Sequence, residues 1–206
     1  MVSKESIITL NKNQIKTAGE VLGRALKDDP VSVYAVPDKE KRHAEIKHVF
    51  QVTSCLGVKY GETHATSPNF EGIAVWIPYV NKQYKMIMDI GCIIKAKIYK
   101  LGLKASKRIK PIEEHNANVH REFATGDHWY LQNLGVEPEH QGKGYGSLLM
   151  EYMLEKIDTM NPLPIFLETS TERNVKFYER FGFQVMRDEV IPNTGVYQWY
   201  LLRDIK

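Results

Sequence analysis

Apolar residues in the first half of the chain recur mainly at helical spacings, with short extended stretches among them. A β-branched run at residues 7–10 precedes the first helix, which ends before Pro30. The pattern predicts helices at residues 15–26, 38–51, 82–101 and 112–123, and strands at 55–64 and 72–77. The two strands are predicted to form a hairpin, because the residues between them, Thr66-Ser-Pro-Asn-Phe70, favour a turn.

The second half of the chain changes to a strand-loop-helix-strand pattern. A strand predicted at residues 128–136 leads through a glycine-rich loop into an amphipathic helix, which ends at Pro162 and Pro164. A buried strand at 165–167, a short helix ending at Gly182 and a closing hairpin of residues 183–191 and 196–202 follow. No repeat or low-complexity linker divides the chain, so we predict one mixed α/β domain over residues 1–206.

Composition narrows the class of protein further. The 206 residues are 43% hydrophobic, 26% charged and 10% aromatic, which argues against collagen-like, coiled-coil and largely disordered chains. No apolar run approaches the roughly 20 residues that cross a bilayer, and no secretory signal is readable. Cys55 and Cys92 are too few for a disulfide scaffold and are interpreted as buried small apolar residues, which predicts a cytoplasmic protein. The seven histidines show no metal-ligand spacing, so no metal is predicted.

Positive charge is concentrated in one segment. Between Lys82 and Lys110 there are nine Lys or Arg and a single acid, Asp89. Such a segment suits phosphate, nucleic acid or an anionic membrane. Its apolar residues recur at steps of one, three and four, however, which favours the solvated face of an amphipathic helix. These apolar residues are Met86, Ile87, Ile90, Ile94, Ile98 and Leu101. No nucleic-acid or membrane partner is therefore predicted.

The loop before the amphipathic helix is the most informative motif. It reads Gln141-Gly-Lys-Gly-Tyr-Gly146 and places Gly142, Gly144 and Gly146 between a strand and a helix. Glycines allow backbone N–H groups to converge on an anion, and the helix adds its positive end, which indicates a phosphate or pyrophosphate site. The spacing is neither G-x-G-x-x-G nor G-x-x-x-x-G-K-[ST], which argues against dinucleotide and NTPase loops. A tight turn without a ligand is the alternative.

This loop resembles the Gln/Arg-x-x-Gly-x-Gly/Ala loop that holds acyl-coenzyme A (acyl-CoA) in the GNAT N-acetyltransferases. Downstream, the stretches Ile165-Phe-Leu-Glu-Thr169, Asn174-Val-Lys-Phe-Tyr178 and Arg180-Phe-Gly-Phe183 resemble the family's second motif, in the family's order. The residues of these motifs are most similar to those of the puromycin N-acetyltransferase-like branch. The resemblance implies the GNAT fold, a mixed and mostly antiparallel sheet flanked by helices. It also implies an acceptor-side half at residues 1–125 and an acetyl-CoA-binding half at 126–206.

The resemblance further implies which residues hold the co-substrate acetyl-CoA. The strand would meet the pantetheine arm and the acetyl carbonyl, the loop would bind the pyrophosphate, and the later helix would lie beside the pantetheine and the sulfur. The implied binding residues are Leu134, Gly135, Val136, Gln141, Gly142, Lys143, Gly144, Tyr145, Gly146, Ser147, Asn174, Phe177 and Tyr178. Tyr178 is also implied as the general acid for the departing thiolate, its alternative role being an aromatic core residue.

The general base is defined less well by the resemblance. Some relatives carry Glu or His at strand positions that are Tyr130 and Gln132 here. Glu168 is our choice as the second catalytic residue, with His128 and Glu137 as further candidates and a water-relayed proton path as an alternative. A surface position for His128 and an ion pair for Glu168 would explain these residues equally well.

Together these features predict an enzyme that transfers an acetyl group from acetyl-CoA directly to a primary amine of a small molecule, through a ternary complex. A non-catalytic acyl-CoA-binding sensor or partner module and a protein or peptide N-acetyltransferase are the alternatives. Aromatic residues of the first half are candidates for lining the acceptor cleft, namely Tyr34, Tyr60, Trp76 and Tyr79. The sequence identifies neither the amine nor the choice between monomer and homodimer.

Overall fold

The structure, a computed structural model, describes residues 3–80 and 89–205. Its centre is a seven-stranded sheet with the strand order β1-β2-β3-β4-β5-β7-β6. The strands are β1 (Ile8–Thr9), β2 (Glu62–Ala65), β3 (Gly72–Tyr79), β4 (His128–Val136), β5 (Ile165–Thr169), β6 (Gln184–Val190) and β7 (Tyr197–Arg203). Neighbouring strands are antiparallel except β4 and β5, which are parallel. This arrangement confirms the predicted mixed and mostly antiparallel sheet.

Helices cover both faces of the sheet. They are α1 (Ile15–Ala25), α2 (Pro30–Ala35), α3 (Lys39–Tyr60), α4 (Ile90–Lys95), α5 (Leu103–Phe123), α6 (Tyr145–Met160) and α7 (Glu172–Glu179). On one face, buried residues of α6 such as Met150 and Met153 pack with Trp76 and Leu167 of the sheet. On the other face, residues of α1, α3 and α5 pack with the opposite sides of the same strands. The alternation of side chains along each strand therefore supplies two separate apolar cores.

The second half of the chain folds as its pattern predicts. The predicted strand at 128–136 coincides with β4, the glycine-rich loop leads directly into α6, and the closing hairpin is β6 with β7. These elements are bounded by strong local signals, namely glycines at 142, 144, 182 and 195 with positive φ and prolines in the connections. Local signals of this kind act before any tertiary contact forms, which is why the prediction succeeds here.

The first half departs from its pattern at several places. Residues 55–60, predicted as part of a strand, continue α3, and only Glu62–Ala65 pairs with β3. Gly57 brings this end of α3 against the sheet, since an added Cβ would lie 2.4 Å from the Thr63 hydroxyl. Pro30 not only closes the first helix but begins α2, and α5 starts at Leu103 with Pro111 inside it. At residues 55–60, the packing of α3 on the sheet thus overrides the predicted preference for a strand.

The predicted helix over residues 82–101 is replaced by shorter elements. Residues 81–88 lie outside the described part of the chain, so the prediction there remains a prediction. From residue 90 onward, α4 ends before Lys97, whose φ of 54° breaks the helix, and a 3₁₀ turn covers Ile98–Leu101. The predicted buried face is wrong for Ile90 and Ile94, which are each 70% exposed, because Cys92 and Ala96 face inward instead.

The two cysteines require a correction. Cys55 of α3 and Cys92 of α4 are both buried, as predicted, but they form a disulfide bond with a Cα–Cα distance of 5.6 Å. Their spacing of 37 residues concealed the pairing, since no local signal links two cysteines that only the fold brings together. The predicted cytoplasmic location rested on unpaired cysteines and loses that support. No helix in the described part of the chain has the length and apolar character needed to cross a bilayer.

We expect reduction of this disulfide to lower the free energy of unfolding by about 3–4 kcal/mol, because opening a loop of this length restores entropy to the unfolded chain. Urea unfolding of the protein with and without dithiothreitol measures the difference. The double variant Cys55→Ala with Cys92→Ala is the control, and its unfolding midpoint should not respond to dithiothreitol. A native protein whose midpoint is equally insensitive would show that the two cysteines are not paired.

Candidate active site

The site is built around an opening in the sheet between β4 and β5. These parallel strands pair only at Trp129 with Ile165 and Tyr130 with Phe166. Beyond this point β4 runs on to Val136, paired with β3 on its other side, whereas β5 pairs with β7. Backbone groups alternate between the two sides of an antiparallel strand, so those of Gly135 face Ile73 of β3, whereas those of Leu134 and Val136 face the opening, where an extended ligand can pair with them.

The N-terminus of α6 lies at one end of this strand segment. Gly142 and Gly144 have φ angles of 76° and 87°, a conformation that favours glycine, and no described atom lies within 4 Å of a Cβ added at either. Gly144 caps the helix without a side-chain hydrogen bond. The first amides of a helix that is 16 residues long, those of Tyr145, Gly146 and Ser147, are thus free to receive an anion.

The two charged or polar side chains of this loop differ in their surroundings. Gln141 donates a hydrogen bond from Nε2 to the Val136 carbonyl at 3.1 Å, which ties the loop to the end of β4. Lys143 is exposed, and within the described residues no ion pair is recorded for it. An exposed ammonium beside a helix N-terminus is suited to binding phosphate. The loop therefore presents both backbone donors and a positive charge to one location.

Helix α7 brings the second motif against the first. A Cβ added at Gly146 would lie 3.7 Å from Phe177 Cζ and 3.7 Å from Val136 Cγ2, so the Phe177 ring packs where α6 begins. Asn174 donates from Nδ2 to the Thr169 hydroxyl at 3.0 Å, which fixes its amide at the end of β5. Tyr178 is buried between Phe177 and Phe183. Two motifs that are separate in sequence are thus brought together at one cleft.

A cavity of about 360 Å³ adjoins the opening on the other side of the sheet. Most of its wall is apolar and comes from α3, the segment around α4, β3 and α5, through Val49, Val52, Leu56, Ile77, Ile93, Ile98, Leu101 and Ile109. The polar groups include Tyr130 and Gln132 of β4 and Glu168 of β5. Gln132 is the extra residue of a β-bulge opposite Val75 and Trp76, which turns this part of β4 toward the cavity.

Glu168 is the cavity carboxyl whose pKa this environment brings close to neutral pH. Enclosure by the cavity wall raises the pKa of its carboxyl to about 7, even though Tyr130 donates a hydrogen bond to Oε1 at 2.5 Å. Burial, and secondly the charge of Glu168, raises the pKa of Tyr130 well above its ordinary value. The Tyr130 hydroxyl therefore stays protonated, and Glu168 exchanges its proton near neutral pH, as a general base must.

The other two base candidates from the sequence are engaged elsewhere. His128 is buried, its Nδ1 donates to the Gly126 carbonyl at 2.7 Å, and its Nε2 lies 2.7 Å from Nε2 of His120. Burial lowers the pKa of both histidines, that of His120 to about 3, so the pair is neutral. Glu137 accepts from Arg24 Nε at 3.0 Å. Of the three candidates, only Glu168 lines the cavity.

Asp29 is a functional candidate that the sequence reasoning missed. It precedes Pro30 and caps α2 by accepting the Val31 N–H at 2.9 Å. Burial raises the pKa of its carboxyl to about 6. Its charge, like that of Glu168, contributes to raising the pKa of Tyr178, which places both carboxyls in electrostatic reach of that hydroxyl. An acid directly before a proline is the usual signal of a helix cap, so the sequence offered only a structural interpretation.

Among the aromatic residues proposed for the acceptor cleft, only Tyr79 lines the cavity. Trp76 is fully buried in the core on the α6 side of the sheet. Tyr60 donates its hydroxyl to Asp89 at 2.5 Å, and Tyr34 packs on a small cluster that includes Ile191. Strand parity explains the error at Trp76, because neighbours in a strand face opposite sides of the sheet.

Comparison with known proteins identifies the family. A family model described as the acetyltransferase (GNAT) domain matches residues 108–185, which include β4, the glycine-rich loop, α6, β5 and α7. An uncharacterized N-acetyltransferase of Schizosaccharomyces pombe is 30% identical over 176 residues, covering 82% of this chain and 70% of the relative. The chain belongs to the GNAT family of N-acetyltransferases. It is therefore an acetyl-CoA-dependent acetyltransferase.

Solved structures share the fold at low sequence identity. A Corynebacterium glutamicum protein described as histone acetyltransferase HPA2 and related acetyltransferase is 18% identical, with a TM-score of 0.66 over 98% of this chain and 96% of the other. Arylalkylamine N-acetyltransferase 2 of Aedes aegypti is 12% identical, with a TM-score of 0.59 and 97% and 98% coverage. A Drosophila melanogaster polyamine N-acetyltransferase that forms N-acetylagmatine is 14% identical, with a TM-score of 0.55 and 95% and 97% coverage. These similarities confirm the GNAT fold over nearly the whole chain.

Proposed function

We propose that this enzyme acetylates the primary amine of a small molecule by direct transfer from acetyl-CoA. The single observation that carries the proposal is Glu168, a carboxyl with a pKa of about 7 that lines the acceptor cavity beside the β4–β5 opening. We assign residues 126–206 to binding acetyl-CoA and residues 1–125, with Tyr130, Gln132 and Glu168, to the acceptor side. Both halves belong to one domain, because the sheet runs through them.

The acetyl-CoA site is assigned to the residues that resemble the family's motifs. The free amides at the start of α6, with Lys143, fit a pyrophosphate, and the open side of Leu134–Val136 fits the extended pantetheine arm. Acetyl-CoA supplies a thioester whose carbonyl carbon accepts the amine. Backbone N–H groups of β4 at the opening would stabilise negative charge on the carbonyl oxygen, where preorganised donors have their largest effect.

Proton transfer is assigned to Glu168 and Tyr178. An amine must lose its proton before it attacks, and Glu168 in its ionised form accepts that proton while Tyr130 holds the carboxyl in place. Burial, and secondly the charge of Glu168, raises the pKa of Tyr178 far above neutral pH, so its hydroxyl retains a proton to donate to the departing thiolate. Asp29 is the alternative acceptor of the amine proton, because it also influences Tyr178.

The cavity favours an acceptor with a compact apolar body over a chain of charges. Apolar side chains from four elements form most of its wall, and its volume of about 360 Å³ suits a single small molecule. Arylalkylamines and agmatine are substrates named for two structural neighbours, and the apolar wall supports the first class better. We also propose that the enzyme is related to the puromycin N-acetyltransferase-like branch, because the residues of its two motifs are most similar to those of that branch.

Thermal-shift titration with acetyl-CoA and CoA, using NAD and ATP as controls, tests the co-substrate assignment, since a ligand that binds the native state raises the melting temperature. A panel of arylalkylamines, agmatine, puromycin and an N-terminal peptide, assayed by release of free thiol, then tests the acceptor class. Stabilisation by CoA without thiol release from any amine would support the non-catalytic binder. Turnover of the peptide alone would support the peptide acetyltransferase.

We expect Tyr178→Phe to lower kcat by about 100-fold while leaving the Kd for acetyl-CoA nearly unchanged, because the ring is retained and only the acidic proton is lost. Initial rates at saturating acetyl-CoA measure kcat, and calorimetric titration measures the Kd. Phe181→Leu, a change to a neighbouring partly buried ring, is the matched control for disturbed packing. An unchanged kcat in Tyr178→Phe would remove this residue from the acid role.

A further inference from the structure

The segment from residue 90 to 107 has an outward face that the proposed transferase activity does not use. Four large apolar side chains on it are strongly exposed, Ile90 and Ile94 at 70%, Tyr99 at 74% and Leu103 at 82%. Exposed isoleucine and leucine at these levels are unfavourable in water, and several within one short segment indicate a binding surface. We call these four side chains and the lysines among them the basic apolar surface.

The exposure results from a firmly anchored backbone. Cys92, Ala96, Leu101 and Ala105 recur at steps of four and five and are all buried. The disulfide fastens Cys92 to α3, and His48 of α3 lies with Nδ1 2.7 Å from the Ala96 carbonyl. With these inward residues held, Ile90 and Ile94, which are one turn apart on α4, have to project into solvent. The outward apolar face is therefore a fixed feature of the fold.

The charge of the same segment is entirely positive. Residues 90–107 contain five lysines and no acid, namely Lys95, Lys97, Lys100, Lys104 and Lys107. Lys97, Lys100, Lys104 and Lys107 are exposed, and in residues 3–80 and 89–205 no ion pair is recorded for them. Lysines interleaved with exposed isoleucine, tyrosine and leucine match the two layers of an anionic bilayer surface, charged headgroups above and acyl chains below.

We propose that the basic apolar surface docks this enzyme onto anionic lipid bilayers. Lipid is favoured over nucleic acid because phosphates would engage only the lysines and leave the apolar side chains in water. The inward side of the same segment contributes Ile93, Ile98 and Leu101 to the acceptor cavity, so docking holds that cavity wall close to the lipid. The docking itself does not depend on acetyl transfer, and it departs from the sequence-based expectation of no membrane partner.

Vesicle co-sedimentation of the full chain tests the proposal. We expect binding to phosphatidylcholine vesicles that contain about 30% phosphatidylserine and not to phosphatidylcholine alone, since the lysines require anionic headgroups. Ile90→Ser with Ile94→Ser is expected to weaken binding about tenfold or more, because it removes inserted apolar area. Lys97→Glu with Lys100→Glu should weaken it at least as much. Acetyl-CoA thermal shifts of each variant verify that the fold is intact.

Two matched controls lie away from this surface. Met160→Ser removes an equally exposed apolar side chain at the end of α6, and Lys39→Glu reverses an exposed lysine at the start of α3. Lys39 is 16 residues from Cys55 on one helix, which is about 24 Å at the helical rise. Both controls should bind vesicles like the unchanged protein. No binding to anionic vesicles, equal losses in the controls, or binding to RNA or DNA that the isoleucine variant leaves intact would each overturn the proposal.

Discussion

Glu168→Gln is expected to lower kcat by about 10²- to 10⁴-fold, the usual contribution of a positioned general base. The amide keeps the size of the side chain and can still meet the Tyr130 hydroxyl, so the Kd for acetyl-CoA should stay within about twofold. The unchanged enzyme should also lose activity as the pH falls below about 7, because the protonated carboxyl can no longer accept the amine proton. In Glu168→Gln that acidic limb should disappear. Steady-state kinetics over a pH series measure both effects.

Asp29→Asn is the comparison that decides between the two carboxyls. Its side chain caps α2, and burial raises the pKa of its carboxyl to about 6. Its charge acts on the Tyr178 hydroxyl, as that of Glu168 does, so Asp29 is the alternative general base. If Asp29 is the base, Asp29→Asn rather than Glu168→Gln will abolish turnover, and the acidic limb will lie near pH 6. Equal and small effects of both substitutions would favour a water-relayed proton path. Asparagine retains the capping oxygen, so helix stability is little changed.

The second large effect is expected for Gly144→Val, which should weaken acetyl-CoA binding by about 100-fold or more. The branched side chain would project from the N-cap of α6, where the phosphate oxygens are assigned to meet the free amides. Gly144 has a φ of 87°, which costs a β-branched residue about 1–2 kcal/mol. Calorimetric titration with acetyl-CoA measures the affinity, and urea unfolding measures the stability.

Gly102→Val separates these two consequences. Gly102 is also a helix N-cap, has a φ of 80° and has open space around it, but it precedes α5. Gly102 has a ψ of 151°, a region that side-chain-bearing residues enter even less readily than that of Gly144, so its substitution should lower stability at least as much and leave acetyl-CoA affinity unchanged. If a folded Gly144→Val protein bound acetyl-CoA normally, the glycine-rich loop would be a turn and the assignment of the co-substrate site would be wrong.

The parts of the site that the sequence predicts are those specified by neighbouring residues. Gly142 and Gly144 adopt positive φ, and α6 begins directly after them, because glycine content and helix initiation are local properties. The sequence also identifies the second motif, since Asn174 and Tyr178 occur at a fixed spacing after a buried strand. What the pattern did not show is that Phe177 packs against Gly146, which requires β5 to lie beside β4.

The cavity and the elements around it depend on contacts between residues that are distant in sequence, and there the local pattern failed. The sequence predicts a strand at the end of α3, because the contact of Gly57 with Thr63 exists only in the fold. The effect of the Asp29 charge on the pKa of Tyr178 likewise depends on the position of α2 in the fold. The disulfide joins residues 37 positions apart. Burial that raises the pKa of Glu168 to about 7 comes from several elements at once. Local signals thus specify the glycine-rich loop, whereas desolvation and pairing, which depend on three-dimensional proximity, arise only in the folded chain.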